Sequence, residues 1–485
     1  MSMAPAQNVL SLIQSLRSTP PRLILSPPSQ PRRASVALIL RMRPAPDLVF
    51  EGNEPAGYTG PVVPADEFGI GLPFDDFLRL DWVNHPDTVP ELLFIRRAPA
   101  GGASGSAASR WSSHIAFPGG RQEPSDESSV YTALRETWEE VGIDLAESDF
   151  VQVGRLDERE ITTSLGKRLL MILSPFVFLQ TSPFSPTPEL QPSEVSTVHW
   201  IPLSSLAPPF EQSQWAHIDI DISTRLSPRN QLIRWALRGL VGKMQFGCIL
   251  LPDEPDYVAE GFDMNMDFEQ PVDGGSGTWY DAKSGRRLLR LWGLSLGMTL
   301  DLVAHCQQDT ILINGNVPRS RSTSTGSSPE RSIFGPKTPV TVQSSFDAHW
   351  FPEESGGARV TTMTQGSGTR RKPSVTIVDK RRRGVGPGVT AVFPRFSYPD
   401  VNFWIWVFGR RYRQVVRAWE ESVHGPDRAS DRRVNWSGAA LSTFYAAVRN
   451  ALVVAILLRG LATLGGVAGL TWWLFRHLGA SSAEL

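Results

Sequence analysis

The stretch from Phe117 to Ile143, FPGGRQEPSDESSVYTALRETWEEVGI, constrains this chain more than any other. Its first part is made to turn: Pro118-Gly119-Gly120 closes the apolar run Ile115–Phe117 sharply. Its second part is made to coil: a helix is predicted from Ser128 to Val141, with Gly142 as the residue that ends it. On that helix Glu136, Glu139 and Glu140 stand at i, i+3 and i+4, and at about 100° per residue they share one face. Val130, Tyr131, Leu134, Trp138 and Val141 are expected on the opposite face, buried in a core. One helix thus carries a packed side and three crowded carboxylates.

Like charges in one patch repel, and each raises the pKa of the others. A hard divalent cation relieves this, because Mg²⁺ and Mn²⁺ prefer oxygen ligands. Taken alone, the triplet reads far more readily as a solvated acidic helix face. The flanks favour the metal. Gly119 and Gly120 let the backbone come close to a metal or a phosphate. Arg135, beside the acids, is expected to lock the loop onto the helix through a directional fork to an upstream acid such as Glu127. Arg96, Arg97, Arg110 and Arg121 are candidates to meet substrate phosphates, and His114 to orient the substrate. Glu158, Glu160 and Glu194 are candidate auxiliary acids.

The same stretch resembles the Nudix box, whose second half is Arg-Glu-apolar-x-Glu-Glu-x-Gly-apolar. Here that half is Arg135, Glu136, Thr137, Trp138, Glu139, Glu140, Val141, Gly142 and Ile143, with Thr137 at the apolar position. Six residues separate Gly120 from Glu127 where the pattern has five. That insertion, with Phe117 to Asp126, is similar to the coenzyme A diphosphatase branch. Thr162 to Gly166, Glu194-Val195, Trp200-Ile201-Pro202 and Trp292-Gly293-Leu294-Ser295 resemble later parts of that branch. Trp111-Ser112-Ser113-His114-Ile115 departs from its usual His-x-Gly-Gln run. The resemblance implies an α/β fold, an α/β/α sandwich around a mixed sheet. It implies hydrolysis of a diphosphate bond in a nucleoside diphosphate derivative, with coenzyme A or an acyl-coenzyme A as one candidate. Mg²⁺, with Mn²⁺ as a substitute, is implied on Glu136, Glu139, Glu140 and the Gly120 carbonyl. Glu139 and Glu140 are then the essential pair, with Glu139 as base. Glu127, Arg135, Gly119 and Gly142 give support. A membrane-tethered nucleotide-sensing module with a non-catalytic fold is the alternative.

Around this centre the chain divides by composition. Residues 1–33 read as an extension with a short amphipathic helix on Val9, Leu10, Ile13 and Leu16. Residues 34–305 read as the hydrolase domain, with insertions at 44–90 and 203–287. Strands are expected at 34–42, 91–97, 115–117, 150–156, 168–180 and 196–201, and further helices at 229–243 and 288–303. Residues 315–390, rich in Ser, Thr, Gly, Pro and Arg, bury too little to order themselves and read as a disordered linker. Lys380 to Arg383 form a basic run within it. Formal net charge is −1, so no nucleic-acid partner is expected. Two cysteines, Cys248 and Cys306, exclude a disulfide framework and point to a reducing compartment.

Residues 396–478 are apolar, helical and expected to be membrane-associated. A window from Ile456 to Phe475 has the length of a bilayer span. Arg459 marks one end, Arg476 and His477 the other, and Trp472 and Trp473 suit an interface. The window 439–458 holds Arg449 near its middle, where a charge costs about 3 kcal/mol on insertion scales. One span plus an interfacial helix is therefore expected, with a buried hairpin as the alternative. The catalytic domain is expected on the cytosolic face. Asn435-Trp436-Ser437 is a glycosylation sequon whose use would contradict that. The Arg-rich, acid-poor N-terminus gives mitochondria as the alternative location.

Overall fold

The computed structural model describes residues 5–27, 32–98, 114–162, 169–207, 214–221, 223, 230–260, 279–280, 287–306, 393–415 and 441–481. The expected linker, its basic run, Arg110 and the Asn435 sequon lie outside these residues.

The strand expected at 34–42 is β1 (Arg33–Arg43), and it organises a nine-stranded mixed sheet. β2 (Val89–Arg97) lies antiparallel on one side of it. β7 (Leu169–Gln180) lies parallel on the other, with Ala37 opposite Phe176. β8 (Val195–Pro202) continues beyond β2 and is edged by β11 (Tyr257–Val258), and β5 (Phe150–Arg155) lies beyond β7. The short strands β3 (Ile115–Ala116), β4 (Gly119–Arg121) and β6 (Arg159–Thr162) pair with β2, β1 and β7. β1 is apolar almost throughout because both of its faces are covered.

Alternation along β1 sends Ala37 and Ile39 to one face and Leu38 and Leu40 to the other. The first face, with Leu93, Ile95, Phe176, Phe178 and Trp200, packs on α2 (Ser129–Val141). The second face meets a thicker layer. It includes α1 (Pro5–Ser18), whose Val9, Leu12, Ile13 and Leu16 are buried. The stretch read as an extension therefore contributes to the core. The same layer holds a second, antiparallel sheet built on β10 (Met244–Pro252), flanked by β9 (Trp215–Ile220) and β13 (Arg287–Trp292), the latter paired in turn with β12 (Trp279–Tyr280). The insertion at 203–287 thus supplies a second sheet, with α3 (Gln231–Val241) between its strands.

Two expectations change here. The helix predicted over 288–303 is two elements: β13, then α4 (Gly293–Ala304). A short apolar run does not distinguish strand from helix by itself. Pairing with β10 made it a strand, and Gly293, at φ 62°, turns the chain into the helix. At the C-terminus, among the described residues, the windows 439–458 and 456–475 are not separate helices. After α5 (Pro399–Phe408), one continuous 41-residue helix, α6, runs from Leu441 to Ser481. Its first half is docked: Phe444, Ala447, Val448, Ala451, Leu452 and Ala455 are buried at helical spacing. Phe393, Tyr412 and Phe444 pack ring on ring, and Arg395 and Phe396 pair with β10. Its second half is bare. From Leu461 to Trp473 every residue is exposed, Leu464 by 70%.

Because Leu12 is fully buried, Leu12→Ala is expected to cost about 2–5 kcal/mol. Thermal unfolding of the full chain should shift to lower temperature; an unchanged midpoint would show that α1 lies outside the cooperative core.

Candidate active site

α2 begins and ends as its sequence dictates. The Ser128 hydroxyl accepts the Tyr131 N–H at 3.1 Å and caps the first turn. Gly142 adopts the left-handed conformation, φ 70°, and its N–H donates to the Trp138 carbonyl at 2.8 Å. Its buried side matches expectation in part: Val130, Leu134 and Val141 pack on the core. Ala133, Thr137, Glu140 and Val141 face the core, while Tyr131 and Trp138 lie outside, Trp138 61% exposed. The acidic edge is rolled toward the sheet because Glu140 reaches under the glycine turn.

That contact defines the site. One Glu140 carboxylate oxygen accepts the Gly119 N–H at 2.8 Å, and the other lies 3.3 Å from the Arg97 guanidinium. Gly119 has φ 143°, and a Cβ there would collide with the Ser35 carbonyl and Val36 of β1. Only glycine lets β4 lie this close to β1 while offering its N–H to the helix. At Gly120 a Cβ would run into the Glu136 carboxylate, so Glu136 is pressed against the turn. Burial pushes the Glu140 carboxyl up to about 7, against the opposing pull of the Gly119 N–H and Arg97. Burial also raises Glu136, with Arg135 opposing and the charges of Glu139 and Glu194 adding to the rise.

Arg135 is the organiser of the loop. Its Nε and Nη2 donate to the two oxygens of Asp126 at 2.9 and 3.0 Å. Nη1 donates to Glu139 at 2.8 Å, and Nη2 also reaches Glu136 and the Arg121 carbonyl, each at 3.1 Å. The fork partner is therefore Asp126 rather than Glu127, which is exposed. Asp126 turns inward because its carboxylate also accepts the Glu123 N–H and the Thr132 hydroxyl, both at 2.9 Å. Arg135, followed by the Glu123 and Thr132 donors, holds Asp126 down to about 2 against the upward push of burial. The loop signature Glu123-Pro124-Ser125-Asp126, with Thr132 one turn into the helix, carried the signal for this turn.

The expected gathering of three acids is only partly present. Glu136 and Glu140 share the glycine turn, whereas Glu139 is drawn to Arg135, one helical turn before it. Among the described residues, no group of three or more His, Cys, Asp or Glu is assembled to hold a metal ion. Glu139 stands about 100° around the helix from Glu140, and Arg135 is its adjacent counter-charge. The donor chemistry nevertheless fits a hard cation. Hard oxygen ligands crowd a glycine turn, and burial with mutual repulsion raises two of them.

The remaining candidates separate. Arg97 reaches the site through Glu140, a pairing across 43 positions that no local signal announces. Arg121 contributes its backbone to the Arg135 fork, and its side chain is exposed. Glu194 lies at the start of β8, where its carbonyl accepts the Ala98 N–H, and its charge is felt by Glu136 and Glu140. Glu158 is instead a structural acid: buried, it binds Arg33, the Ser174 hydroxyl and the Ile24 N–H. His114 lies against the Trp292 ring of the second sheet and takes its indole N–H.

A mixed sheet, a glycine turn and an acid-edged helix make up the site, and the segment that carries them matches a known family. Residues 84–219 match the family described as NUDIX domain. The chain is 35% identical over 251 residues to an uncharacterized protein of Schizosaccharomyces pombe, covering 51% of this chain and 64% of that one. It thus spans less than two thirds of that relative's length. Solved structures with similarity include a MutT/nudix family protein from Enterococcus faecalis, with 15% identity, TM-score 0.21, and coverage of 41% of this chain and 50% of that chain. A NUDIX hydrolase from Alicyclobacillus acidocaldarius shows 17% identity, TM-score 0.20, and coverage of 36% and 80%. The family match is thus to residues 84–219, the segment that holds the glycine turn, α2 and β8.

The Asp126–Arg135 fork makes a pH prediction. The folded pKa of Asp126 lies below its ordinary value, so the stabilisation is full above about pH 4 and is lost as pH falls through about 2. Asp126→Asn should flatten acid unfolding in that window, and Glu127→Gln should leave the wild-type curve. Equal effects of the two variants would place the fork elsewhere.

Proposed function

We propose that this chain hydrolyses a diphosphate bond in a nucleoside diphosphate derivative, in a reaction that needs a divalent cation on the acidic edge of α2. The observation that carries the reading is the Glu140 carboxylate buried beneath the Gly119 N–H, with Glu136 and Glu194 beside it, inside the matched domain. Mg²⁺ is the proposed ion, with Mn²⁺ as a substitute, and Glu136, Glu139, Glu140 and the Gly120 carbonyl would hold it. Such an ion neutralises diphosphate charge and acidifies an attacking water.

The residues of the chain do the rest. Glu139, half-exposed at the rim, takes the proton of the attacking water. Arg135 couples its position to Asp126 and so to the loop. Arg97 and Arg121 stand at the edge of the site to meet the phosphates. Coenzyme A or an acyl-coenzyme A is the proposed substrate, on the strength of the Phe117–Asp126 resemblance. A second reading, nucleotide binding without turnover, draws on the engagement of Glu139 by Arg135.

We further propose that α6 crosses a bilayer beyond Arg459. Within the 33-residue stretch Leu441–Trp473, an 18-residue window reaches a mean hydropathy of 2.0. Counted from Ile456, with Arg459 snorkelling at the entry, the 20 residues to Phe475 extend about 30 Å at 1.5 Å each, against a hydrocarbon core of about 30 Å.

With coenzyme A, ADP-ribose, NADH and dinucleoside polyphosphates as substrates, turnover should yield two phosphate-containing products separable by chromatography. Chelation should stop it and Mg²⁺ restore it, and Glu139→Gln should lower kcat about 10²–10⁴-fold. Full activity of Glu139→Gln, or indifference to chelation, would overturn the mechanism; tight nucleotide binding with no product would favour the second reading. Membranes carrying the full chain should retain it through an alkaline carbonate wash, and its release would reject the span.

A further inference from the structure

The surface next to the exit point of α6 has no place in the reaction, yet it is unusually apolar. α3 reads QLIRWALRGLV, and only Val241 among its described side chains is fully buried. Trp235 is 81% exposed and Ile233 49%. On α5, Phe403 and Phe408 are also exposed. A strongly amphipathic helix that shows its large apolar side chains to solvent lacks the partner its sequence was shaped for.

The junction of these helices says where that partner lies. Arg459, the last charge before the bare half of α6, binds three groups at once. Its guanidinium pairs with Asp400 at the start of α5, with Nε 3.1 Å from the carboxylate. It donates to the Leu240 carbonyl at the C-terminal end of α3. It also stands 4.2 Å from the centre of the Tyr398 ring, whose hydroxyl donates to the Gly239 carbonyl at 3.0 Å. The cation sits where the carbonyl end of the α3 dipole attracts it. So α3, α5 and α6 are fastened together at the level where the polar domain stops and the bare apolar helix begins.

We propose that α3 and α5 form a shelf that lies on the phospholipid bilayer beside the entry point of α6, with Trp235 and Ile233 at the boundary between headgroups and acyl chains. The proposal rests on the reading of α6 as a span. The occupant is lipid because the shelf continues the same apolar surface that α6 exposes from Leu457 onward. Tryptophan at such a boundary buries its ring and keeps its N–H in the wet headgroup layer. Helices with this amphipathic pattern lie in the interface plane. The NUDIX domain is thereby seated against the membrane at a fixed orientation, rather than swinging on a tether.

The test uses the full chain reconstituted into phosphatidylcholine vesicles, with a polarity-sensitive fluorophore on an introduced cysteine. Burial pushes the native Cys248 and Cys306 thiols up to about 12, so they compete little for the label. Trp235→Cys and, as a second position, Ile233→Cys probe the shelf. Trp138→Cys, on the far face of the large sheet, is the reference. The shelf probes should lose quenching by aqueous iodide and gain quenching by a lipid carrying a spin label high on its acyl chain, while the reference does the reverse. Iodide quenching at both shelf positions equal to the reference overturns the shelf, and so does protection from iodide without quenching by spin-labelled lipid, which would mean that another protein surface covers it. Retention of the chain through an alkaline wash of the same vesicles separates these outcomes from loss of the span, which would remove the proposal altogether.

Discussion

A carboxylate pulled into the protein interior by one backbone N–H is the interaction on which the rest of the site depends. Glu140 is almost wholly buried, and its hydrogen bond to Gly119 fastens the helix to the turn. A buried carboxylate is tolerated only where donors and counter-charges meet it, and here Gly119 and Arg97 do so. The contact sets the roll of the helix, which in turn decides that Thr137 is inside and Trp138 outside. It also presses Glu136 against Gly120. The position of the acidic edge is therefore a consequence of packing, not a separate device.

Arg135 works in the opposite sense. It is a fixed positive charge among three acids, Asp126, Glu136 and Glu139, and its strongest tie is the fork to Asp126. A guanidinium shared in this way is both brace and counter-charge. It keeps the loop from Gly120 to Ser128 attached to the helix, and it holds Glu139 away from the pair at the turn.

The two faces of the large sheet have different duties. The face toward α2 carries the site, and the face toward the second sheet carries bulk. Residues far apart in the chain meet in that second layer: α1, the inserted strands, and the first half of α6 share one continuous apolar core. The C-terminal helix is thus partly a core element and partly an exposed apolar rod, with Arg459 at the change.

Much was legible in the sequence because it was local. The Ser128 cap, the Gly142 stop, the apolar runs of the strands and the Gly119-Gly120 turn are each set by a few neighbouring residues. Helical spacing alone placed Glu136, Glu139 and Glu140 on one edge. What sequence could not give depends on contacts between distant segments. Arg97 meets Glu140, Glu158 meets Arg33, and His114 meets Trp292 only because strands pair. Asp126 rather than Glu127 faces Arg135 because loop curvature decides which neighbour points inward. Leu288 to Leu291 form a strand because β10 offers an open edge. Local hydrogen bonding and periodicity fixed which elements form, while burial and long-range electrostatics, which exist only once those elements pack, decided which face each shows and which charge each acid meets.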